Sequence, residues 1–439
     1  MTRLPAAAVF LALFPLTAVA ADWPQWLGPT RDGVWAEAGV LERFPTGGPK
    51  KLWQVPALGG YSGPAVVAGK VFVHEYERTG GNPQNDPNVR AALTGHERVR
   101  CLDAKTGDEL WKHVYPCDYA VSYPCGPRCT PSVDCGRVYT LGAMGHLYCL
   151  DAKTGKVLWK KDFAQDCKAP VPTWGFAAHP LVIADAVVCM VGGPGGAVVA
   201  FDKATGKEKW KALAGADAGY CPPTLTTVAG KPQLVVWHPK ALVALSPDAG
   251  KTLWEVKLEP MYGMSVAAPQ RHGDHLFAGG IGGHAVLLKF ETDKPAPAEV
   301  WRGEKDTAVY PTNGTPLIHG GTLYGCDSAT GGLRAVELAT GKRKWETFAP
   351  TTGKEAAKHG TAFLVRNGDR FFLLSETGEL VIARMTADKY EEIDRAKLIE
   401  PTGTAFGRHV AWSAPAFAGG CVFVRNDKCV ACYQLTAGK

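Results

Sequence analysis

The sequence has no cluster of basic residues, no second long apolar run, and no cysteine before Cys101. Each gap removes a class of protein. Lys, Arg, Asp and Glu are interspersed, and a formal charge of +6 is modest for 439 residues. That pattern reads as a solvated surface and gives no footprint for nucleic acid. Beyond the first twenty residues no segment is long and apolar enough for a membrane-spanning helix. No Gly-x-Ser-x-Gly occurs and no carboxylate pair stands at motif spacing, so hydrolase signatures are missing. The Gly-rich runs Gly192-Gly193-Pro194-Gly195-Gly196 and Gly279-Gly280-Ile281-Gly282-Gly283 precede no helical pattern, so they are not phosphate loops.

What is present points to export and to short strands. Arg3, the apolar run Ala6 to Leu16 and the small residues Ala18-Val19-Ala20 read as a secretory signal peptide over residues 1–20. With no lipid-acceptor cysteine near that cleavage point, a soluble periplasmic or secreted protein is expected. The chain carries 51 Gly, 32 Pro and 13 Trp, a composition of many turns between short strands. Its 13 cysteines are an odd number, so at least one thiol is free or pairs outside the chain.

Self-similarity is the strongest signal. Cys101-Leu-Asp103-Ala-Lys-Thr-Gly107 leads to Trp111, and Cys149-Leu-Asp151-Ala-Lys-Thr-Gly155 leads to Trp159. Ala200-Phe-Asp202-Lys-Ala-Thr-Gly206 leads to Trp210. Further copies end at Trp254, Trp301 and Trp345, the one at Trp301 having lost its Gly. A copy near Leu380 to Leu398 has lost both Gly and Trp. The interval of roughly 44 to 51 residues suits a four-stranded propeller blade. Asp and Thr hydrogen-bond the backbone of a tight turn, Gly supplies positive φ, and Trp opens an outer strand. The unit is strand A, B, C, turn, D.

The last motif is cut. Cys432-Tyr-Gln-Leu-Thr-Ala-Gly438 is its first half, and Gly48-Pro-Lys-Lys-Leu-Trp53 looks like the second. An N-terminal strand would then complete the C-terminal blade and leave no open edge. The expected architecture is an all-β, eight-bladed propeller over residues 48–439, preceded by an arm at 21–47.

Ala-x-Asp-x-x-Thr-Gly-x-x-x-Trp resembles the docking motif of pyrroloquinoline-quinone (PQQ) type propeller repeats, with Ala200 to Trp210 matching in full. The opening Asp22-Trp-Pro-Gln-Trp-Leu-Gly-Pro-Thr-Arg-Asp-Gly33 resembles the mature start of exported PQQ-like propellers common in planctomycetes. The repeats are also similar to those of the outer-membrane assembly propeller lipoprotein and of quinoprotein dehydrogenases.

Alternating strand direction puts A–B and C–D turns on one face and D–A and B–C loops on the other. The second face holds the long segments His74 to Arg98, His113 to Arg128, Asp166 to Trp174 and Pro350 to Gly360, read as irregular loops over the channel mouth. Residues just before each strand A point toward that mouth: Tyr61, Arg128, Trp174, Tyr220, Tyr262, Asn313, His359, His409 and Trp412. An aromatic and basic funnel of this kind suits an anionic or planar ligand; the alternative is that these side chains only pack the loops.

His74-Glu75 and His96-Glu97 bracket the first long segment; they offer imidazoles and carboxylates for a metal, but no spacing rule supports that, so a solvated loop base and no metal site are expected. His272-Gly-Asp-His275 reads as an exposed A–B turn. Cys101, Cys149 and Cys432 occupy a small-residue position of strand C. Cys117 with Cys125 or Cys129 would staple the loop before the second strand A; zinc is the alternative, against which stands a Cys-x₃-Cys that lacks the usual knuckle spacing. If Asn426-Asp427 forms a two-residue hairpin turn, Cys421 and Cys432 sit opposite and within disulfide reach.

Two functions follow. The first is a non-catalytic binding or scaffold propeller, a monomer without cofactor, whose partner is an envelope protein or a small molecule. The second, implied by the resemblance, is a PQQ and calcium dependent alcohol or sugar dehydrogenase. That chemistry needs a quinone held between a Trp and two adjacent cysteines, calcium on Glu and Asn, and an Asp base. No Cys-Cys pair occurs, and only Trp174 or Trp412 offers a platform.

Overall fold

A computed structural model describes residues 21–291, 294, 296–304 and 307–437. The predicted leader (1–20), Gly438 and part of the degenerate turn before Trp301 lie outside them. Eight sheets of four antiparallel strands follow one another around a ring. Blade 1 is Ala65–Val67, Lys70–Gly80, Ala91–Asp103 and Glu109–Pro116. Blade 7, the copy without Gly and Trp, is still four-stranded, from Ala362–Asn367 to Tyr390–Lys397. Blade 8 is Ala416–Ala418, Cys421–Arg425, Cys429–Gln434 and, from the other end of the chain, Lys51–Pro56. Trp53 stands opposite Cys432 in that last pairing, so the split motif closes the ring.

Burial explains the strand sequences. Strands B and C are covered on both faces by neighbouring blades, so they read as continuous apolar runs: Ala186–Met190 and Ala241–Leu245 are buried throughout. Strand D is outermost and alternates, as in Thr252–Lys257, where Trp254 is buried and its neighbours are exposed. The core is accordingly a ring of clusters, each filling a seam between blades. Leu276 and Val286 of blade 5 pack with Leu242 and Trp254 of blade 4, for example.

The motif glycine has a second task besides its positive φ. Gly155, Gly206 and Gly250 each lie under the Trp of the preceding blade, and a Cβ there would meet Trp111, Trp159 or Trp210 at 2.5–2.7 Å. Each indole also donates its Nε1–H to a backbone carbonyl of the next turn, as Trp159 does to Lys203 at 3.1 Å. Trp254, facing the blade whose turn lost its Gly, donates instead to Gln233 of its own blade at 2.7 Å.

The structure corrects several expectations. Segment 74–98 is irregular only at 81–90: strands B and C of blade 1 run on as a long hairpin to either side, and Tyr119–Val121 adds a fifth strand along it. His74, Glu75 and Glu97 have no exposure, so they are no solvated loop base. Gly279 and Gly280 end a strand (His275–Gly280), where a Cβ on Gly280 would meet Trp237 at 2.7 Å. All 13 cysteines are free thiols, Cys117, Cys125 and Cys129 included. Cys421 pairs with Gln434, and Cys432 with Phe423, because Asn426–Lys428 forms a three-residue loop capped by the Asn426 side chain. The hairpin register is thus offset by two residues from the expected one.

Candidate functional site

The arm at 21–47 lies across the inner strands on the A–B face. Trp23 exchanges backbone hydrogen bonds with Val66 of blade 1, and Val133 of blade 2 donates to Pro24. Trp35 donates its N–H to Arg366 of blade 7 and packs on Phe372 and Phe417. Between these anchors Arg31 turns inward, at φ +58° and 9% exposed. Its guanidinium donates to Pro180 O at 3.1 Å, His179 O at 3.4 Å and Gln25 Oε1 at 3.2 Å. Burial lowers its pKa to about 10. His179 stacks on Trp26 at 4.8 Å and accepts the Thr130 N–H on Nδ1. Burial, then the Arg31 charge, hold His179 well below the usual imidazole range, so it is neutral. The Trp-Pro-Gln-Trp-Leu-Gly-Pro-Thr-Arg opening therefore ties together the inner strands of blades 1, 2 and 3, a role that linear reading did not assign.

The opposite face carries the D–A and B–C loops, and the predicted residues fall into three groups there. Trp174, Tyr220 and Tyr262 line one open groove of about 480 Å³ together with Arg90, Pro170–Thr173, Asp217 and Pro239. Trp174 meets Tyr220 edge to face at 5.6 Å, and Tyr262 is 74% exposed at φ +59°. Gly192, from one Gly-rich turn, keeps the groove's rim low. Arg90 is anchored to the carbonyls of Ala120 and Val171.

The second group packs inward. Tyr61, Trp174 and Trp412 pack against a cluster of Tyr123, Ala405 and Val410. Ala405 and Val410 belong to a two-stranded flap, Gly403–Ala405 with Arg408–Val410, inserted between blades 7 and 8. The flap is tied to the blade 1 hairpin by Asn85 Nδ2, which donates to Thr404 Oγ1 at 3.0 Å. Arg128 lies over the Tyr61 ring at 5.3 Å and donates to the carbonyls of Ser122, Tyr123 and Gly126. The third group is Asn313, whose amide donates to His359 O, and His359, which stacks on Phe406 at 4.7 Å. Burial lowers the His359 pKa to about 4. His409 is exposed on the flap.

Two carboxylates beside the flap, Glu376 and Asp427, are engaged. Glu376 accepts from Arg408 Nε at 2.7 Å, Trp412 Nε1 at 3.0 Å and Thr361 N at 3.2 Å. Asp427 accepts from Cys125 Sγ at 3.0 Å and Thr402 Oγ1 at 3.3 Å. Trp412 is fixed by its ring N–H, and Asn313 by its amide. Glu376, Asp427, Asn313 and Trp412, held in this way, do not offer the free oxygen donors beside an uncovered indole face that a quinone with a calcium ion requires.

A polar cluster absent from the sequence reading lies between blades 1 and 2. Glu97 Oε2 accepts from Tyr115 Oη at 2.5 Å, and Oε1 accepts from Tyr119 Oη at 2.6 Å and Ala143 N at 2.9 Å. His74 Nε2 stands 3.6 Å from Oε2. Burial alone would raise this carboxyl; hydrogen bonding and charge from His74, then Tyr115 and Tyr119, outweigh it and hold the pKa at about 2. Cys117 Sγ is 3.5 Å from His146 Nδ1, and His146 Nε2 is 3.6 Å from Asp162 Oδ2. Burial, then Glu97, Asp118 and Asp162, push the Cys117 thiol well up, so it is protonated. The clue in sequence was weak: His74 to Arg98 reads as an irregular loop, not as a hairpin that a neighbouring blade covers.

Comparison with known proteins adds the following. The family described as outer membrane protein assembly factor BamB matches residues 95–347 and 239–439. No curated protein matches. Among solved structures, a quinohemoprotein alcohol dehydrogenase from Comamonas testosteroni is 15% identical, with 95% of this chain and 81% of that chain covered at TM-score 0.58. A europium-containing methanol dehydrogenase is 14% identical over 92% and 89%, at TM-score 0.61. BamB from Moraxella catarrhalis is 14% identical over 89% and 98%, at TM-score 0.41. At these identities the likeness to the dehydrogenases concerns the fold alone.

Proposed function

The chain belongs to the PQQ-repeat family described as outer membrane protein assembly factor BamB, and from that premise we propose that it is a non-catalytic, exported binding propeller. The observation that carries this reading is the groove on the loop face, where exposed Tyr262 stands beside Trp174 and Tyr220. Rigid aromatic anchors around a recess are what protein partners bury first. The groove's cation is held by carbonyls and Asp217 is its one lining carboxylate, so what it chiefly offers is shape and ring faces. The partner is an envelope protein that inserts a side chain or short segment there. The leader read from residues 1–20 supports export, and no described helix is long and apolar enough to cross a membrane.

The test uses photo-cross-linking residues placed at Tyr262 and at Gly230, an exposed turn on the opposite face. One discrete adduct from position 262, lost on Trp174→Ala and missing at 230, is expected. Equal adducts at both positions would sink the proposal. Titration with PQQ and Ca²⁺, followed by absorbance and dye-linked alcohol oxidation, should show neither saturable binding nor turnover.

A further inference from the structure

We propose that Glu97, Cys117 and His146 form a binding site for a divalent cation of the zinc class, set in the seam between blades 1 and 2. Three elements bring the ligands together. Glu97 lies in strand C of blade 1, Cys117 follows strand D of that blade, and His146 opens strand C of blade 2 (His146–Asp151). The Cys117 N–H is bonded to Gly95 O at 2.9 Å, which aims the thiol back at the hairpin. Gly142 is required for the approach, because a Cβ there would fall 1.9 Å from Glu97 Oε2.

The three ligand atoms lie within 4.8 Å of one another. Cys117 Sγ and His146 Nδ1 are 3.5 Å apart. Zn–S near 2.3 Å and Zn–N near 2.05 Å at a tetrahedral angle would separate S and N by about 3.5 Å. Glu97 offers the third ligand oxygen within the same 4.8 Å span. Thiolate, imidazole and carboxylate together are the donor set of zinc, and softer than magnesium or calcium accept.

Two of the ligands also have an outer partner of the kind that orients metal ligands. Asp162 faces His146 Nε2 at 3.6 Å, leaving Nδ1 as the lone-pair nitrogen turned toward Cys117. Tyr115, Tyr119 and Ala143 N fix Glu97. His146 keeps 26% side-chain exposure, which gives the ion an entry. Binding forms a metal–sulfur bond and releases the thiol proton to solvent; water takes the fourth position.

The purified full chain, reduced and stripped with chelator, would be titrated with Co²⁺ and then Zn²⁺. The expected result is about one equivalent of Co²⁺ giving a thiolate-to-cobalt charge-transfer band in the near ultraviolet, displaced by Zn²⁺. Cys117→Ser should abolish the band, while Cys429→Ser, a thiol on blade 8, should keep it. Asp162→Asn should weaken binding roughly tenfold or more while leaving the fold intact by circular dichroism. No band, or a band that survives Cys117→Ser, would overturn the site and leave the trio as a metal-free S–H···N hydrogen bond beside a structural carboxylate. Neither outcome depends on the groove across blades 3 and 4.

Discussion

Gly250 sits at φ +66°, and a Cβ on it would stand 2.5 Å from Trp210 Cε3. Both facts make the residue irreplaceable, but for different reasons: one is backbone strain, the other is the seat of a neighbour's indole. Trp210 is 8% exposed, so Trp210→Ala should cost about 3 to 5 kcal/mol in denaturant unfolding. Gly250→Ala should also destabilise, by more than about 1 kcal/mol. Combined, the two should cost clearly less than their sum, because the Ala Cβ then enters the space that the indole vacated. Strict additivity would mean that strain alone explains the glycine. Titration supplies a second test at this scale. The folded His359 pKa is depressed to about 4 from 6.5, chiefly by burial. Above pH 6.5 neither state is protonated and the stability is fully present. As pH falls from 6.5 toward 4 the unfolded chain takes up a proton that the folded chain refuses, so stability is lost. His359→Asn, which tolerates the positive φ of that position, should reduce the drop in melting temperature between about pH 7 and about pH 4.5.

Strands of the regular blades were legible because motif, spacing and burial agree: Asp-x-x-Thr-Gly marks the C–D turn wherever it stands. Even the split blade could be read, since Trp53 and Cys432 belong to one motif. What could not be read is what the repeat does not control. The extended blade 1 hairpin, the extra strand Tyr119–Val121 and the flap Gly403–Val410 are insertions whose pairing depends on tertiary neighbours. For the same reason the nine funnel candidates, all taken from one repeat position, separate: three line a groove while others support the flap. Glu97 was invisible as a buried carboxylate because its cover comes from blade 2. The closing strand gives the prediction at this scale. Removing residues 48–55 exposes strand C of blade 8 as an edge and removes Trp53, whose Nε1 donates to Ala104 of blade 1. Loss of most of the stability and rising light scattering from edge pairing are expected. Trp53→Ala, the milder change, should cost about 3 to 5 kcal/mol without scattering.

A ring of blades with its core in the seams behaves as a closed one-dimensional array, where each unit leans on two neighbours. The seams are not equivalent. The cluster that joins blades 7, 8 and 1 is continuous across two seams, and the arm supplies Trp23 and Trp35 to it. This is where the chain's two ends meet, and a covalent link is missing between strands C and D of blade 8. The arm thus offsets the weakness that the split blade creates. Trp35 is 1% exposed between Phe372 of blade 7 and Phe417 of blade 8, and its Nε1 has no hydrogen-bond partner among the described residues. Trp35→Phe keeps the ring contacts and removes that buried N–H, so its cost should be small. Trp35→Ala should cost about 3 to 5 kcal/mol. Native-state hydrogen exchange would locate the damage. Protection should fall first in Ala416–Ala418, Ala362–Asn367 and Ala65–Val67, while Ala186–Met190 and Ala241–Leu245, on the far side, hold theirs. An equal fall in all eight blades would mean that the ring opens only as a whole, and that its closing seam is no weaker than the rest.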